Sequence, residues 1–404
     1  MEADGNGEGT EGLLGALLRR SHTLPPDELA AAVALESRAA GAVGVVIYLA
    51  DYEQAYLVPL AGRGVPAREP LEIEATLAGR AFRLVETFGT AADDGQRLWV
   101  PMLDGTERVG VLEVLLPAAG DPALADVTGL AGLVAQLVVT KDHYGDVFQL
   151  ARRRRPMSLA AEIQWELLPP LTCSTPELVL SGMLEPCYDI GGDTFDYALS
   201  GDVAHLAIID AMGHGLPATL LSGLAVGSYR HSRRHDLDLV ETYAAMDQAV
   251  AQQFGPERFV TAQLCRVERS TGRLRWVNAG HPAPLLVRGG RVVRVLTCAP
   301  SLPVGFGGAV TEIAEEALEP GDRLLFFTDG VVEARSPAGE FFGDQRLEEL
   351  LTKAVAAGLP APETVRRLTR ELLAHQGGRL QDDATMLLLQ WDGSDADPAR
   401  AGGA

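Results

Sequence analysis

Four acidic turns in the second half of the chain constrain its fold more than any other feature. In three of them an aspartate stands where an apolar, strand-like run meets a turn. Such short carboxylates can converge at one edge of a sheet, and the neighbouring glycines let backbone and ligand approach closely. The turns read GGDTFD, IIDAMGHG, FFTDG and QDDAT, at residues 191–196, 208–215, 326–330 and 381–385.

Converging carboxylates repel one another unless a cation or a raised pKa relieves the repulsion. Sites made only of oxygen ligands suit hard cations such as Mg²⁺ and Mn²⁺. No His/Cys cluster with zinc spacing competes in this sequence. The pattern therefore predicts a site for hard divalent cations.

Each turn alone has a simpler interpretation. An Asp-Gly pair after a strand is usually only a turn, and GGDTF resembles the GGDEF signature of diguanylate cyclases. The acidic pair of that signature is missing here, and three further acidic turns follow. Four such turns in one domain are much more specific than any one of them, so the cyclase interpretation is disfavoured.

Composition excludes several classes of protein. The chain has 404 residues, 47% of them hydrophobic, and a net charge of −21. This predicts two or three globular domains, and the acid excess argues against binding to nucleic acid or to anionic membranes. No run of apolar residues is long enough for a membrane span, and the acidic N-terminus does not resemble a signal peptide. The four cysteines include no CxxC pair, which favours reduced thiols and a cytoplasmic location.

The N-terminal half predicts a small α/β domain. Its order of helix, two strands, helix, two strands and helix resembles the GAF family of sensor domains from about residue 25 to 141. This segment contains neither Cys nor His, which excludes a Cys-linked bilin, a thiol switch and a His-ligated haem. A non-covalent small ligand, a protein partner or a dimerising role remains open.

The segment between the halves predicts a linker helix. Its basic run at residues 152–155 is interpreted as a solvated helix face or turn, and Leu159, Ile163 and Leu167 form an apolar stripe. Our hypothesis is that the GAF-like domain controls the C-terminal domain through this helix, which is also a candidate dimer seam in a homodimer. The predicted divisions are a disordered extension at 1–24, the GAF-like domain at 25–141, the linker helix at 142–170, the C-terminal domain at 171–392 and a disordered tail at 393–404.

The C-terminal motifs resemble a known family. The runs GGDTFD, DAMGHGLPA, FVTAQL, NAGHPAPLL, LPVG, LLFFTDGVVEAR, FGDQRLEELL and DDATMLLL follow the order and spacing of PPM-type serine/threonine phosphatases, in the stage II sporulation protein E branch. The resemblance covers roughly residues 170–391. It implies an αββα sandwich of antiparallel sheets flanked by helices, with a site for two Mn²⁺ or Mg²⁺ ions at one edge.

The resemblance also implies roles for individual residues. Two metals would activate water for attack on phosphorus, so no cysteine or serine nucleophile is needed. Asp196 and Asp383 are second choices with structural roles. The implied ligands are Asp210 between both metals, the adjoining carbonyl of Ala211, Asp329 of the TDG motif, Asp382 of the DDxT motif and Asp193 of the first motif.

Two departures from the family pattern stand out. The second motif reads Asp210-Ala211-Met212 and lacks the histidine that is a candidate general acid, so His214 and His281 are the nearest alternatives, each expected to have a structural role. The position of the family's phosphate-binding arginine holds Asp189. Phosphate binding is therefore expected to rest mainly on the metals, which favours a dedicated protein substrate over small phosphoesters.

The expected function is hydrolysis of phosphoserine or phosphothreonine in a protein, regulated by the GAF-like domain. The resemblance implies a phosphorylated anti-anti-sigma factor of the STAS type as substrate, in control of transcription by partner switching. The alternative is a catalytically silent pseudophosphatase that sequesters a regulatory partner. Intact acidic positions disfavour this alternative, and a metal-binding assay separates the two.

Overall fold

The computed structural model describes residues 7–92, 95–117, 127–189, 191–378 and 382–393, with only the backbone for residues 7–11. The chain divides into two compact units, one from Met1 to Arg155 and one from Pro156 to Gly402. The division falls inside the predicted linker. The predicted C-terminal tail lies outside the described residues except for Gly393.

Unit 1 is an antiparallel sheet with helices on both faces. Its elements are α1 Gly7–Ser21, α2 Leu29–Ala39, β1 Gly44–Ala50, β2 Tyr56–Pro59, β3 Leu71–Glu72, α3 Leu77–Leu84, β4 Phe88–Ala92, β5 Gly95–Asp104, β6 Glu107–Pro117, α4 Val127–Asp142 and α5 Val147–Arg152. The strand order in the sheet is β3-β2-β1-β6-β5-β4. Side chains of β1 alternate between a core under α1, α2, α4 and α5 and a second core under α3, so both faces of this apolar strand are buried.

The prediction of a disordered extension over residues 1–24 is wrong for the part that the structure describes. Helix α1 occupies most of it, and Leu13 and Leu17 are only 4% and 1% exposed in the core of unit 1. These leucines are four residues apart and lie on one helix face. Their burial outweighs the low helix propensity of the acidic, glycine-rich start.

The predicted linker helix is not one helix. Helices α4 and α5 belong to unit 1, and the next helix, α6 (Leu159–Leu167), belongs to unit 2. The predicted apolar stripe is not its buried face, because Leu159 is 63% exposed while Ala160, Ala161 and Gln164 are buried. The homodimer stays a prediction, because an apolar residue exposed on one chain neither supports nor excludes a dimer seam.

In the basic run at residues 152–155 only Arg152 is helical, and the chain bends at residues 154–155, which fits the predicted turn and not the helix face. Arg152 donates a hydrogen bond to the carbonyl of Ala50 at 2.9 Å. The guanidinium of Arg154 lies 3.5 Å from the ring centroid of Tyr56, a favourable cation–π geometry. The run thus packs on the β1–β2 hairpin, through contacts between residues far apart in sequence.

Unit 2 contains two antiparallel sheets packed face to face. The elements after α6 are β7 Thr172–Ser174, β8 Leu178–Glu185, β9 Thr194–Ser200, β10 Val203–Ala211, α7 Leu216–Arg234, α8 Leu239–Phe254, β11 Val260–Glu268, β12 Arg273–Ala279, β13 Leu285–Arg288, β14 Arg291–Val295, β15 Ala314–Ala317, β16 Asp322–Phe327, α9 Asp329–Val332, α10 Asp344–Ala356, α11 Ala361–His375 and β17 Ala384–Trp391. The strand orders of the two sheets are β15-β12-β11-β10-β9 and β14-β13-β16-β17-β8-β7. One apolar core lies between the sheets, and further cores lie under α7 and α8 on the first sheet and under α10 and α11 on the second. This confirms the predicted sandwich.

Two general features bear on the environment of the protein. Among the residues that the structure describes, no helix has the length and apolar character needed to cross a membrane. The four cysteines are free thiols, and Cys187, Cys265 and Cys298 are buried.

Candidate metal centre at the sheet edges

The four acidic turns lie at strand ends that are adjacent in the sheets. Asp193 directly precedes β9, and Asp210 is the penultimate residue of β10, the strand paired with β9. In the second sheet, Asp329 follows β16 and Asp382 precedes β17, which pairs with β16. In an antiparallel pair, the end of one strand lies beside the start of the next. Each sheet therefore presents two aspartates at one edge.

Direct hydrogen bonds join the two edges. One carboxylate oxygen of Asp383 accepts the backbone N–H groups of Gly191 at 2.8 Å and Gly192 at 2.6 Å. The hydroxyl of Thr328 donates to a carboxylate oxygen of Asp193 at 2.5 Å. These contacts connect the first acidic turn to both turns of the second sheet, so the aspartates form one cluster.

Close backbone packing fixes the turn that carries Ala211. The N–H of Ala211 donates to the carbonyl of Gly192 at 3.3 Å. A Cβ atom at Gly192 would lie 2.5 Å from the carbonyl oxygen of Ala211, too close for any side chain. Glycine is required here because two backbone segments meet at the place where the Ala211 carbonyl is expected to act.

The cluster carries strong electrostatic repulsion. Burial, followed by the charges of Asp329, Asp382 and Asp383, raises the pKa of Asp210 to about 7. Burial and then the charge of Asp210 raise the pKa of Asp193 well above its usual range. In the described part of the chain, none of these five carboxylates has an ion pair with Lys or Arg. Their negative charge is left for a cation to balance.

The donor set fits hard divalent cations. Among the described residues, no three or more His, Cys, Asp or Glu side chains are already arranged around one point as a metal requires. The groups gathered at the edge are nevertheless carboxylate oxygens and a carbonyl, the ligands that Mg²⁺ and Mn²⁺ prefer. The chemistry of the donors and their uncompensated negative charge thus both fit a site for divalent cations. The side chains would have to rotate to coordinate an ion.

The second-choice aspartates have structural roles. The carboxylate of Asp196 is buried and forms ion pairs with Arg230 at 2.7 Å and with Arg233, which anchors α7 to β9. Asp383 positions the first acidic turn, as described above. Both oxygens of Asp196 are used in these ion pairs, whereas Asp383 holds the first acidic turn with one oxygen, Oδ2.

The two histidines differ in exposure. His214 is exposed, and a Cβ atom at Gly191 would lie 2.9 Å from its Cα atom, so its backbone packs against the first acidic turn. His281 is buried, its Nδ1 lies 2.9 Å from the hydroxyl of Thr261, and burial lowers its pKa to about 3. His281 is therefore uncharged at neutral pH. It contacts Thr261, the residue paired with Asp210, while His214 packs against the first acidic turn through its backbone, so both histidines lie beside the site.

Sequence reasoning missed two residues at the site. Thr328 precedes Asp329 and links Asp193 to the N–H of Thr385, which donates to its hydroxyl at 2.9 Å. Gln164 on α6 donates a hydrogen bond to the backbone carbonyl of Asp193. The threonine of the TDG run was visible in the sequence. Nothing in the sequence marked Gln164, because its contact depends on how α6 packs.

The comparisons with known proteins concern the same region. Residues 200–392 match the family model "Stage II sporulation protein E (SpoIIE)". The chain is 27% identical to Protein IcfG of Synechocystis sp. over 58% of its own length and 41% of that protein. It is 23% identical to Phosphoserine phosphatase RsbU of Bacillus subtilis, over 58% of the chain and 69% of RsbU. The chain thus spans less than half of the first relative.

A solved structure supports the fold assignment. The SiaA-PP2C domain of Pseudomonas aeruginosa superposes with a TM-score of 0.50 at 24% identity, covering 58% of this chain and 94% of that one. This similarity concerns the fold alone. The match of residues 200–392 to the family model and the similarity to RsbU support a phosphatase domain of the SpoIIE/RsbU type in the C-terminal unit.

Proposed function

We propose that the C-terminal unit is a metal-dependent phosphatase that hydrolyses phosphoserine or phosphothreonine in a protein. The observation that carries this proposal is the meeting of acidic turns from both sheets at one edge, joined by the contacts of Asp383 and Thr328. The match of residues 200–392 to the SpoIIE family model supports it.

Each residue of the edge has a defined task in this proposal. Asp193, Asp210, Asp329, Asp382 and the carbonyl of Ala211 would hold two Mn²⁺ or Mg²⁺ ions. When bound, such ions lower the pKa of water and neutralise phosphoryl oxygens. Asp383 and Thr328 hold the first acidic turn in place (contacts above), and the exposed His214 adjoins the site from the solvent side.

The substrate is proposed to be a partner protein. Asp189 stands where the family places a phosphate-binding arginine, so the choice among phosphoproteins would rest on contacts outside the phosphoryl group. We propose a phosphorylated STAS-type anti-anti-sigma protein in the cytoplasm. The N-terminal unit would act as a GAF-like regulatory domain that takes a small ligand or a protein, in a homodimer.

Regulation is proposed to reach the site through α6. Gln164 of this helix donates to the backbone carbonyl of Asp193, and the indole of Trp165 donates to the carbonyl of Cys187 at 2.8 Å. Movement of α6 would therefore displace the first acidic turn. This gives a physical route from the segment before the domain to a proposed metal ligand.

Hydrolysis of p-nitrophenyl phosphate by the full chain, with Mn²⁺ or with EDTA, tests the function. Turnover with Mn²⁺ should exceed turnover with EDTA by about 100-fold or more, because two-metal sites supply both the nucleophile and the charge stabilisation. A phosphoserine peptide should be hydrolysed and a phosphotyrosine peptide of matched sequence should not. Absence of both turnover and Mn²⁺ binding would contradict the proposal and favour a silent binding module.

The affinity for Mn²⁺ should weaken as the pH falls below about 7. The pKa of Asp210 is raised to about 7, and a carboxylate must lose its proton before it binds a metal. Each pH unit below 7 should lower the apparent affinity by up to about tenfold. Calorimetric titrations at pH 6, 7 and 8 measure this, and repeating them in buffers with different ionisation enthalpies counts the protons released. An affinity constant across this range would exclude Asp210 as a ligand.

A further inference from the structure

Arg258 lies beside the second acidic turn because of the strand register. Strands β10 and β11 pair with Asp210 opposite Thr261. The ladder continues past both strands, since the N–H of Met212 donates to the carbonyl of Phe259 at 3.1 Å. The next residue on one side is Gly213 and on the other Arg258. A Cβ atom at Gly213 would lie 3.5 Å from Nη1 of Arg258, so the guanidinium covers this turn.

The backbone that carries Arg258 is held firmly. Val260 and Val304 exchange backbone hydrogen bonds of 2.9 and 2.8 Å. The ring of Phe259 packs on Phe306 with centroids 4.8 Å apart. The carboxylate of Asp247 accepts the N–H of Gly305 at 2.7 Å, which fixes the loop under this segment. Arg258 is therefore a flexible side chain on a rigid backbone segment.

The guanidinium of Arg258 is available for a ligand. Its residue is exposed, and in the described part of the chain it has neither a hydrogen bond nor an ion pair, although it lies over the turn that follows Asp210. Gly215, two residues after Gly213, begins α7 without a side-chain cap. The partial positive charge of that helix start therefore lies on the same turn. Two positive features thus border an acidic site.

We propose that Arg258 binds the phosphoryl oxygens of the substrate. A guanidinium offers paired N–H donors that match the oxygens of a phosphate, and it stays charged at all working pH values. Arg258, which lies beside the second acidic turn, would supply the positive charge that the family's arginine provides at the position held here by Asp189. Inorganic phosphate, the product of hydrolysis, would make the same contact. This proposal rests on the proposed phosphatase function.

Steady-state kinetics of the full chain with Mn²⁺ and p-nitrophenyl phosphate test the proposal. In Arg258→Ala, kcat/KM should fall about 10- to 100-fold, and the inhibition constant of inorganic phosphate should rise about tenfold or more. Arg258→Lys should recover part of both losses, because the charge remains while the paired donors do not. The Mn²⁺ concentration for half-maximal activity should not change. The matched control is Arg234→Ala, since Arg234 is also exposed but lies at the far end of α7, and it should behave as the wild type.

Two results would overturn the role of Arg258. One is an unchanged KM and phosphate inhibition constant in Arg258→Ala. The other is a parallel shift in Mn²⁺ activation, which would mean that Arg258 supports the metal site instead of the phosphate. If the wild type neither hydrolyses the substrate nor binds Mn²⁺, the proposed function fails by itself. Calorimetry of inorganic phosphate with wild type and Arg258→Ala, in the presence of Mn²⁺, then decides separately whether Arg258 binds phosphate.

Discussion

Asp210→Asn should lower phosphatase turnover by about 10³-fold or more and still stabilise the metal-free protein. Burial and then the charges of Asp329, Asp382 and Asp383 raise the pKa of Asp210, so its charge is opposed by the rest of the cluster. Loss of its charge removes the proposed shared metal ligand, and contributions of single groups to charge stabilisation reach this size. The same loss relieves repulsion, which should raise the free energy of unfolding by about 1–3 kcal/mol at pH 8.

The sign of the stability change depends on pH. The pKa of Asp210 in the folded protein is about 7, above its usual value of 3.8. The folded wild type therefore binds more protons than the unfolded chain between these values, and it loses stability as the pH rises from about 4 to 7. In Asp210→Asn, the contribution of residue 210 to this loss of folding stability between about pH 4 and 7 should be absent. Urea unfolding with EDTA at pH 5 and pH 8, beside turnover with Mn²⁺, measures both effects.

Asp202→Asn is the matched control for Asp210→Asn. Asp202 lies in the turn between β9 and β10, at the opposite end of the same hairpin, where it accepts the N–H of Ser270 at 3.0 Å. Turnover of this variant should stay within about twofold of the wild type, since surface substitutions away from a site have small effects. Equal losses in both variants would contradict a special role for Asp210.

Gly330→Ala should destabilise unit 2 by about 3 kcal/mol or more and abolish activity. A Cβ atom at Gly330 would lie 1.8 Å from the backbone carbonyl oxygen of Asp383. Both groups are backbone, so no side chain can rotate to relieve the clash. The turns of Asp329 and Asp383 would have to separate. Thermal and urea unfolding of the full chain measure the loss.

Gly227→Ala should have the opposite effect. Gly227 lies in α7, and a Cβ atom there would meet nothing within 4 Å. Alanine in place of an exposed helical glycine stabilises by about 0.5–1 kcal/mol. Comparing Gly330→Ala with Gly227→Ala therefore separates the effect of a steric clash from the general effect of replacing glycine with alanine. A Gly330→Ala variant as stable as the wild type would show that the two turns are not packed as described.

The sheets and the grouping of the acidic turns follow from local features of the sequence. An aspartate at the end of an apolar strand has a fixed place once the strand pairs, so the paired strands β9–β10 and β16–β17 determine which carboxylates meet. The glycines of the turns indicated close backbone approach, and Gly192 and Gly330 show its extent.

Other features depend on packing between distant segments. The buried face of α6 carries Ala160, Ala161 and Gln164 instead of the larger apolar residues that its periodicity favoured. The contacts of Arg154 with Tyr56 and of Arg258 with the Gly213 turn join residues that no local pattern connects. Charge and spacing alone could not assign these arginines, because their role depends on what lies opposite them.

The central position of β17 has a consequence for biosynthesis. This strand pairs with both β16 and β8, and the residues just before it provide Asp382 and the contact of Asp383 with Gly191, 192 residues earlier in the chain. Translation proceeds from the N-terminus, so the first acidic turns emerge from the ribosome long before their partner strand. The strand that completes the proposed metal centre is thus the last strand of this unit to be made. A nascent chain that has not yet released residues 382–391 has no complete site, so the proposed hydrolysis would not start before synthesis of the domain is finished.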